Sequence, residues 1–565
     1  MAMNSSLELA NILISGLAYY GISDVVVSPG SRNAPLVNAL QSNPNFNCHS
    51  VIDERSAAFI AMGIALATEK PTAIICTSGT ALLNYAPAVC EAYYQGVPLV
   101  VISADRPQQW IDQGDGQTIR QLNALGSYVC DSIQLNPPKT DEDFWLIKRK
   151  IGEAFCLPQF VSEKRPIHIN CSFEEPFYDA SYKFEIENRN FREPFPLSSQ
   201  VSINHLQPLI NKLNEAKKVL WVVGQLEVST GKAASSLLSQ IRNLPQHAIL
   251  AETTSNLGSE CYHTACIDRN IVSKESDFEV FQPDVLIHLG GAIVSKKIKK
   301  LLRSNQAKYS VRIHNTAFNE DTFQGLNLAI GVEAVVFLKE ITSMLEPNSL
   351  SNYNELWKKH ISKIDKKHSG FEYQCPWSDF YIFLCISKLL PDFWNIYWGN
   401  SSVIRYAQLF NYPQKGITHL ANRGTSGIEG VSSSANGYAR KSSNPTLLVT
   451  GDISFFYDIN GLEAASNNLK IILINNSGGN IFRIIDGPDK MKNFDRFLET
   501  THNKNAKHLA HHYGFHYQTA TGQQDFQEEL KKFLTSDKKT ILEVFTPRIE
   551  SPAILKDYFK TLNQE

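Results

Sequence analysis

The sequence has little excess charge, few cysteines and no long apolar run, and each shortage narrows what the chain can be. Lys and Arg number 54 against 56 Asp and Glu, a formal charge of −2. No global field therefore recruits nucleic acid or an anionic membrane surface, and any anion site must be local. Ten cysteines are spread over 565 residues and none forms a C-x-x-C pair; the nearest, Cys261 and Cys266, have the wrong spacing for a zinc knuckle. Free thiols in a reducing cytoplasm are the expected state. The most apolar N-terminal stretch, Ala10 to Ile22, is interrupted by Ser15, Gly16 and Gly21 and follows no basic residue, which argues against a secretory signal. No apolar run reaches the length of a membrane-spanning helix, so membrane insertion is not expected. Short repeats and low-complexity tracts are also lacking. What remains, 43% hydrophobic and 19% charged residues, is ordinary globular composition. The length suggests three or four domains at roughly 150 residues each.

Short β-branched runs that end in Gly, Ser, Asn or Asp and lead into helical segments recur along the chain. Examples are Asp24 to Val27 before Ser-Pro-Gly-Ser, and Ala73 to Cys76 before Thr-Ser-Gly-Thr. This is the grammar of parallel βα units. It continues through Leu99 to Ile102, Val219 to Val223, Ile249 to Glu252 and Val285 to Leu289, then Leu447 to Thr450, Ile471 to Ile474 and Ile541 to Phe545. Two stretches break the rhythm and read as linkers: Tyr178 to Gln200, polar and aromatic with Pro194 and Pro196, and Glu346 to Trp377, rich in Lys, Ser and Asn. The expected fold is α/β, with three doubly wound parallel-sheet domains over 1–180, 190–345 and 350–565. The cluster Lys296, Lys297, Lys299 and Lys300 reads on composition alone as a solvated helix face.

Two common nucleotide signatures fail. No G-x-G-x-x-G follows a predicted strand; Gly424, Gly427 and Gly430 are spaced G-x-x-G-x-x-G. Gly224, Gly231 and Lys232 follow a strand, but six residues separate the glycines and Ala233 cannot ligand magnesium. The segment that does carry chemistry is Gly451-Asp452-Ile453-Ser454 after one strand, with Asn475-Asn476-Ser477-Gly478-Gly479 after the next. A parallel sheet binds ligands at the carboxyl ends of its strands, so Asp452 and Asn476 can face one crevice. A carboxylate, an amide oxygen, the Gly478 carbonyl and diphosphate oxygens suffice for a magnesium-diphosphate clamp.

This Gly-Asp to Asn-Asn pattern resembles the cofactor motif of the thiamine diphosphate enzymes. Near the other end of the chain, Asp53-Glu54-Arg55-Ser56-Ala57 opens an apolar helix after the strand-like Cys48 to Ile52, and Glu54 matches the glutamate that touches the aminopyrimidine ring in that family. Further blocks, Ser28 to Arg32, Thr77 to Ala81, Ser103 to Pro107, Gly114 to Gln121, Asn400-Ser401 with Arg405, and Asn422 to Gly430, are similar to the branch of the family that serves menaquinone biosynthesis. Those enzymes decarboxylate 2-oxoglutarate and join the fragment to isochorismate. Arg32, Arg106, Arg405 and Arg423 sit in Gly/Ser/Pro loops at predicted strand ends, and guanidinium forks suit two dicarboxylate substrates.

The resemblance implies a transferase with thiamine diphosphate and Mg2+ (or Mn2+) as cofactors. It gives Asp452, Asn476 and Gly478 to the metal, and Glu54, Ile428, Ser454, Ile481 and Phe482 to the cofactor, with Glu54 as the catalytic group and Ile428 as the wedge that bends it. Arg32, Arg106, Gln117 and Lys297 go to isochorismate, Ser401 to both substrates, and Arg405 and Arg423 to the 2-oxoglutarate carboxylate. It also implies a cytoplasmic homodimer or dimer of dimers, Glu54 of one chain acting with Asp452 of another. Gly116 and Ile298 stand where the family has Asn and a second basic residue. The alternatives are another thiamine diphosphate 2-oxoacid decarboxylase or carboligase, and a non-catalytic cofactor-binding relative.

Overall fold

A computed structural model describes residues 2–174, 184–185, 191–193, 203–271, 275–316, 320–485 and 487–564. Three parallel sheets account for the α/β rhythm. The first holds β1 (Asp24–Val27), β2 (Asn47–Ser50), β3 (Thr72–Cys76), β4 (Leu99–Asp105), β5 (Ser132–Leu135) and β6 (Ile167–Ser172) in the order β2-β1-β3-β4-β6-β5. The second holds β7 (Val219–Val223), β8 (His247–Ala251), β9 (Val285–Leu289), β10 (Tyr309–His314) and β11 (Leu326–Gly331), ordered β11-β10-β9-β7-β8. In the third, β12 (Asn395–Trp398), β13 (Thr418–Leu420), β14 (Thr446–Gly451), β15 (Leu469–Asn475), β16 (His516–Ala520) and β17 (Thr540–Phe545) run β13-β12-β14-β15-β17-β16. Helices cover both faces of such sheets, so central strands bury every side chain, as Ile74-Ile75, Val100–Ile102 and Ile471–Ile474 do.

The stretch Glu346 to Trp377 is not a linker. Tyr353–Tyr373 is a 21-residue helix whose Tyr353, Trp357 and Ile361 pack with Leu220, Val222, Leu250 and Leu286 of the second sheet. The apolar residues recur at helical spacing inside a lysine-rich composition, which hides the stripe. The other expected linker, Tyr178 to Gln200, lies outside the described residues apart from 184–185 and 191–193. Among the described residues no helix is long and apolar enough to cross a membrane, and all ten cysteines are free.

The chain divides into two compact units. One comprises 1–197 with 422–443 and 457–469; the other comprises 198–421, 444–456 and 470–565. Within the first, helix Glu54–Thr68 crosses helix Val431–Lys441 almost backbone to backbone. A Cβ on Gly63 would stand 2.1 Å from the Ser434 carbonyl oxygen, and one on Gly437 would stand 2.0 Å from that of Ile60. Only glycine permits that approach, and it ties residues 431–441 to the helix that Glu54 opens.

Candidate active site

In the first unit, Glu54 begins its helix between two anchored neighbours. The Asp53 carboxylate caps the helix, accepting from the Ser56 amide at 3.2 Å, and also accepts from Asn460 Nδ2 at 2.7 Å. Arg55 donates to the Tyr457 carbonyl at 2.9 Å and lies over that ring. Glu54 itself is half-buried, and its carboxyl is raised above the ordinary range, chiefly by burial, with the Asp53 charge adding. A carboxyl so placed can hold a hydrogen bond to a ring nitrogen in either protonation state.

The loop that carries Arg423 and Ile428 is held by a residue with no motif to announce it. Glu91, on helix Ala86–Gln95, is 2% exposed. Its carboxylate accepts from the amides of Gly424 (2.6 Å), Thr425 (2.7 Å) and Ser426 (3.2 Å) and from the Thr425 hydroxyl, while Gln95 accepts from the Arg423 amide. One buried charge thus satisfies four donors, which fixes the loop's course.

Arg32 and Arg106 follow β1 and β4. Arg32 is buried, and Nη1 donates to the carbonyls of Phe173 and Glu174 beyond β6, so part of its donor fork holds the segment that leaves β6. Arg106 contacts Asp115 at 3.3 Å, and its Nε is buried without a hydrogen-bond partner. Gln117 is exposed, with a left-handed φ of 56°. Beneath these loops, Gln121 accepts from the Gly79 amide and donates to Asn170, which donates to Asp105; Ser103 meets His168 at 2.8 Å. Burial lowers the His168 pKa to about 4, so the imidazole of this network is neutral.

In the second unit, β14 and β15 are neighbours, and their carboxyl ends bring the clamp residues together. Asp452 is buried; Oδ1 accepts from the Ile453 amide (2.7 Å) and Oδ2 from the Gly478 amide (2.9 Å). His502 Nε2 lies 3.2 Å from Asp452 Oδ2. Its Nδ1 accepts from the Lys504 amide, which puts the proton of the neutral ring on Nε2. Ser477 and Gly478 take positive φ of 62° and 156°, and a Cβ at Gly478 would stand 2.9 Å from the Glu499 carbonyl oxygen. Glu499 is wholly buried, accepts from Arg483 and Arg548 through its carboxylate, and takes the Gly479 amide on its backbone oxygen. These contacts pin the Gly478 turn.

Asn476 Nδ2 donates to Asp379 at 3.0 Å, and Asn476 Oδ1 is buried with no hydrogen-bond partner. An orphaned amide oxygen is costly unless something takes it up. One carboxylate, one amide oxygen and one carbonyl fit a hard cation whose other ligands are phosphate oxygens. Burial pushes Asp379 up to about 6 against its bonds from Thr546 and Asn476, with the Asp452 charge adding. Ser454 is buried on the short helix Asp452–Tyr457, and Ile481 and Phe482 are half-buried on helix Ile481–Ile484.

Ser401 follows β12 at φ 68°, ψ −123°, a conformation that costs a non-glycine residue roughly 1–3 kcal/mol and clusters at functional sites. Arg405, on the next helix, is half-buried with its Nε unpartnered. Lys297 is only partly a solvated face. Its Nζ donates to the Asp268 carbonyl at 3.3 Å and sits over the Phe559 ring, and burial lowers its pKa to about 8. Lys296 is exposed.

The Asp452 and Asn476 turns of the third sheet and the Glu54 helix of the first each carry a motif of the thiamine pyrophosphate enzymes, and the chain is an enzyme of that class. The family comparisons agree: the thiamine pyrophosphate enzyme N-terminal TPP binding domain matches residues 7–124 and the C-terminal TPP binding domain matches 399–544. Relatives sharpen the assignment. A protein of Flavobacterium psychrophilum is 40% identical over 560 residues, covering 98% of this chain and 99% of its own length. One of Porphyromonas gingivalis is 36% identical, covering 98% and 97%, and one of Bacteroides thetaiotaomicron is 36% identical, covering 98% of each. All three are 2-succinyl-5-enolpyruvyl-6-hydroxy-3-cyclohexene-1-carboxylate synthases. The chain belongs to that family.

Proposed function

We propose that this chain decarboxylates 2-oxoglutarate and adds the remaining four-carbon unit to isochorismate, giving 2-succinyl-5-enolpyruvyl-6-hydroxy-3-cyclohexene-1-carboxylate and CO2 in menaquinone biosynthesis. The observation that carries the reading is similarity along nearly the whole chain to synthases of that name, with Glu54, Asp452 and Asn476 present. When bound, thiamine diphosphate supplies the carbanion and the electron sink for the carboxylate lost as CO2.

The chain's own residues bind and orient. Asp452, the Asn476 amide oxygen and the Gly478 carbonyl hold Mg2+ or Mn2+ against the diphosphate, with Ser454 beside them. Glu54 would hydrogen-bond the aminopyrimidine ring of the cofactor, and Ile428 would be the apolar wedge against it. Ile481 and Phe482 keep water away from the reacting carbon, which suppresses premature protonation. Arg405 and Arg423 take the distal carboxylate of 2-oxoglutarate; Arg32, Arg106, Gln117 and Lys297 serve isochorismate, and Ser401 serves both. The unpartnered Nε atoms of Arg106 and Arg405 support the two carboxylate roles, since a bound anion satisfies them. Segment 1–180 forms the pyrimidine-binding domain, 190–345 a central domain and 350–565 the diphosphate domain of a cytoplasmic homodimer or dimer of dimers.

The test is incubation with thiamine diphosphate, Mg2+, 2-oxoglutarate and isochorismate, following CO2 release and isochorismate together. Equal molar release and loss is expected. CO2 without loss of isochorismate makes the chain a simple decarboxylase, and neither change makes it a cofactor-binding relative.

A further inference from the structure

We propose that Asp379 is the positioning residue that aims the amide oxygen of Asn476 at the metal ion. The inference rests on the reading of Asp452, Asn476 and Gly478 as the divalent cation site and goes beyond it. An asparagine amide can face a cation with its oxygen, which binds, or with its NH2 group, which repels. The two poses differ by a half-turn about one bond, and packing barely distinguishes two atoms of similar size.

Here the choice is imposed from behind. Asn476 is 4% exposed at the end of β15, and Nδ2 donates to Asp379 Oδ2 at 3.0 Å. An ionised carboxylate only accepts, so the nitrogen must face Asp379 and the oxygen must face away, where it is buried without a partner. A turned amide would set its oxygen against the carboxylate and offer hydrogens to the cation, two repulsions in place of two attractions.

Asp379 is itself held on three sides. It is 2% exposed and begins the helix Asp379–Leu389, which Ser378 caps by accepting from the Tyr381 amide. Its Oδ1 accepts from the Thr546 hydroxyl just beyond β17, and its backbone amide donates to Ser551 Oγ at 3.1 Å. Thr546 is tied in turn to the Asn476 strand, its amide donating to the Asn475 carbonyl at 3.2 Å. The device is closed: β17 fixes Asp379, Asp379 fixes the amide, and the amide presents its oxygen.

Asp379→Asn tests this directly. Its carbonyl oxygen keeps the Thr546 bond, so its NH2 group faces Asn476, which must turn and show nitrogen to the metal. Mn2+ binding to the full-length protein with thiamine diphosphate, read from the EPR signal of free Mn2+, should weaken by roughly 10- to 100-fold, the usual range for loss of an outer-shell partner. The exchange variant Asp379→Asn with Asn476→Asp keeps the net charge and restores the geometry, since the new NH2 donates to one oxygen of residue 476 and leaves the other for Mn2+. Its affinity should return to within about tenfold of wild type. An exchange variant no tighter than Asp379→Asn overturns the orientation role, as does an Asp379→Asn variant that binds like wild type.

Asn476→Ala separates this from the underlying reading: if it too binds Mn2+ normally, Asn476 is not a ligand and the clamp assignment falls instead. Should Asp379→Asn fail to fold by circular dichroism, Thr546→Val leaves the carboxylate in place but loosens it. A several-fold weaker Mn2+ affinity is then expected, and an unchanged one overturns the proposal.

Discussion

The first and third sheets are the same object built twice. Counted from its own first strand, each runs 2-1-3-4-6-5, while the second runs 5-4-3-1-2. The two matching sheets nonetheless carry different side chains at their carboxyl ends. In the first, the turns after β1, β2 and β4 present Arg32, Glu54 and Arg106. In the third, the turns after β12, β14 and β15 present Ser401, Asp452 and Asn476. Topology therefore supplies the places and a handful of turn residues supply the function. Ser-Pro-Gly-Ser-Arg stands after the first strand of one sheet and Gly-Asp after the third strand of the other.

If that division of labour holds, lesions in the two sheets must fail in different ways. The largest effect is expected at Glu54. Glu54→Gln should lower turnover roughly 10²- to 10⁴-fold, the span of a lost acid-base group, while thiamine diphosphate binding measured by calorimetry stays near wild type. Loss of cofactor binding in step with turnover would erase the contrast with the metal clamp.

Next come the arginines. Arg405→Ala should cost about 2–5 kcal/mol in kcat/KM for release of CO2 from 2-oxoglutarate alone. Arg32→Ala should leave that partial reaction and slow consumption of isochorismate. Because Arg32 also holds the Phe173 and Glu174 carbonyls, its variant should melt at a lower temperature as well. Equal defects in CO2 release would contradict the division.

The smallest effect sharpens the comparison. Glu91→Gln replaces an acceptor of four donors with one oxygen and a competing NH2 group. It should cost ~1–3 kcal/mol of stability and raise KM for 2-oxoglutarate several-fold through Arg423. Isochorismate KM should not move. A uniform loss of kcat without a KM change would mean that Glu91 only holds the fold.

The apolar central strands were legible because burial on both faces demands unbroken β-branched runs. Those that escaped have polar interiors or lie at edges: β6 carries buried His168 and Asn170, β10 carries buried Arg312, the four-residue β12 opens on buried Asn395, and β5, β11, β13 and β16 are terminal strands. Motif residues were legible because turn chemistry is local. Asp379, Glu91, His502 and Glu499 were not, since each acts on a backbone or side chain that only folding brings near. A faint signal exists at Glu91, a lone charge in Ala88-Val89-Cys90-Glu91-Ala92, and at Asp379, which precedes the apolar run Phe380 to Ile386. A single charge in a buried helix must have a partner, but the sequence does not say which one.

The crossing at Gly63 and Gly437 also bears on the order in which the protein is made. The first compact unit needs residues 422–443 and 457–469, so a ribosome that has finished helix Glu54–Thr68 must synthesise most of the chain before its partner helix emerges. At ~5–20 residues per second the wait is on the order of 20–75 s. Throughout it, of the ten successive buried positions of this helix, Ser56 to Ala65, those on the face toward Ser434 and Gly437 lack their cover, while the others can pack on Val26, Ile74 and Val101 of the first sheet. Six of those ten are Ala, Gly or Ser, which expose far less apolar surface than Leu or Phe would. The small residues that let two backbones touch in the finished molecule also keep the unfinished one from sticking.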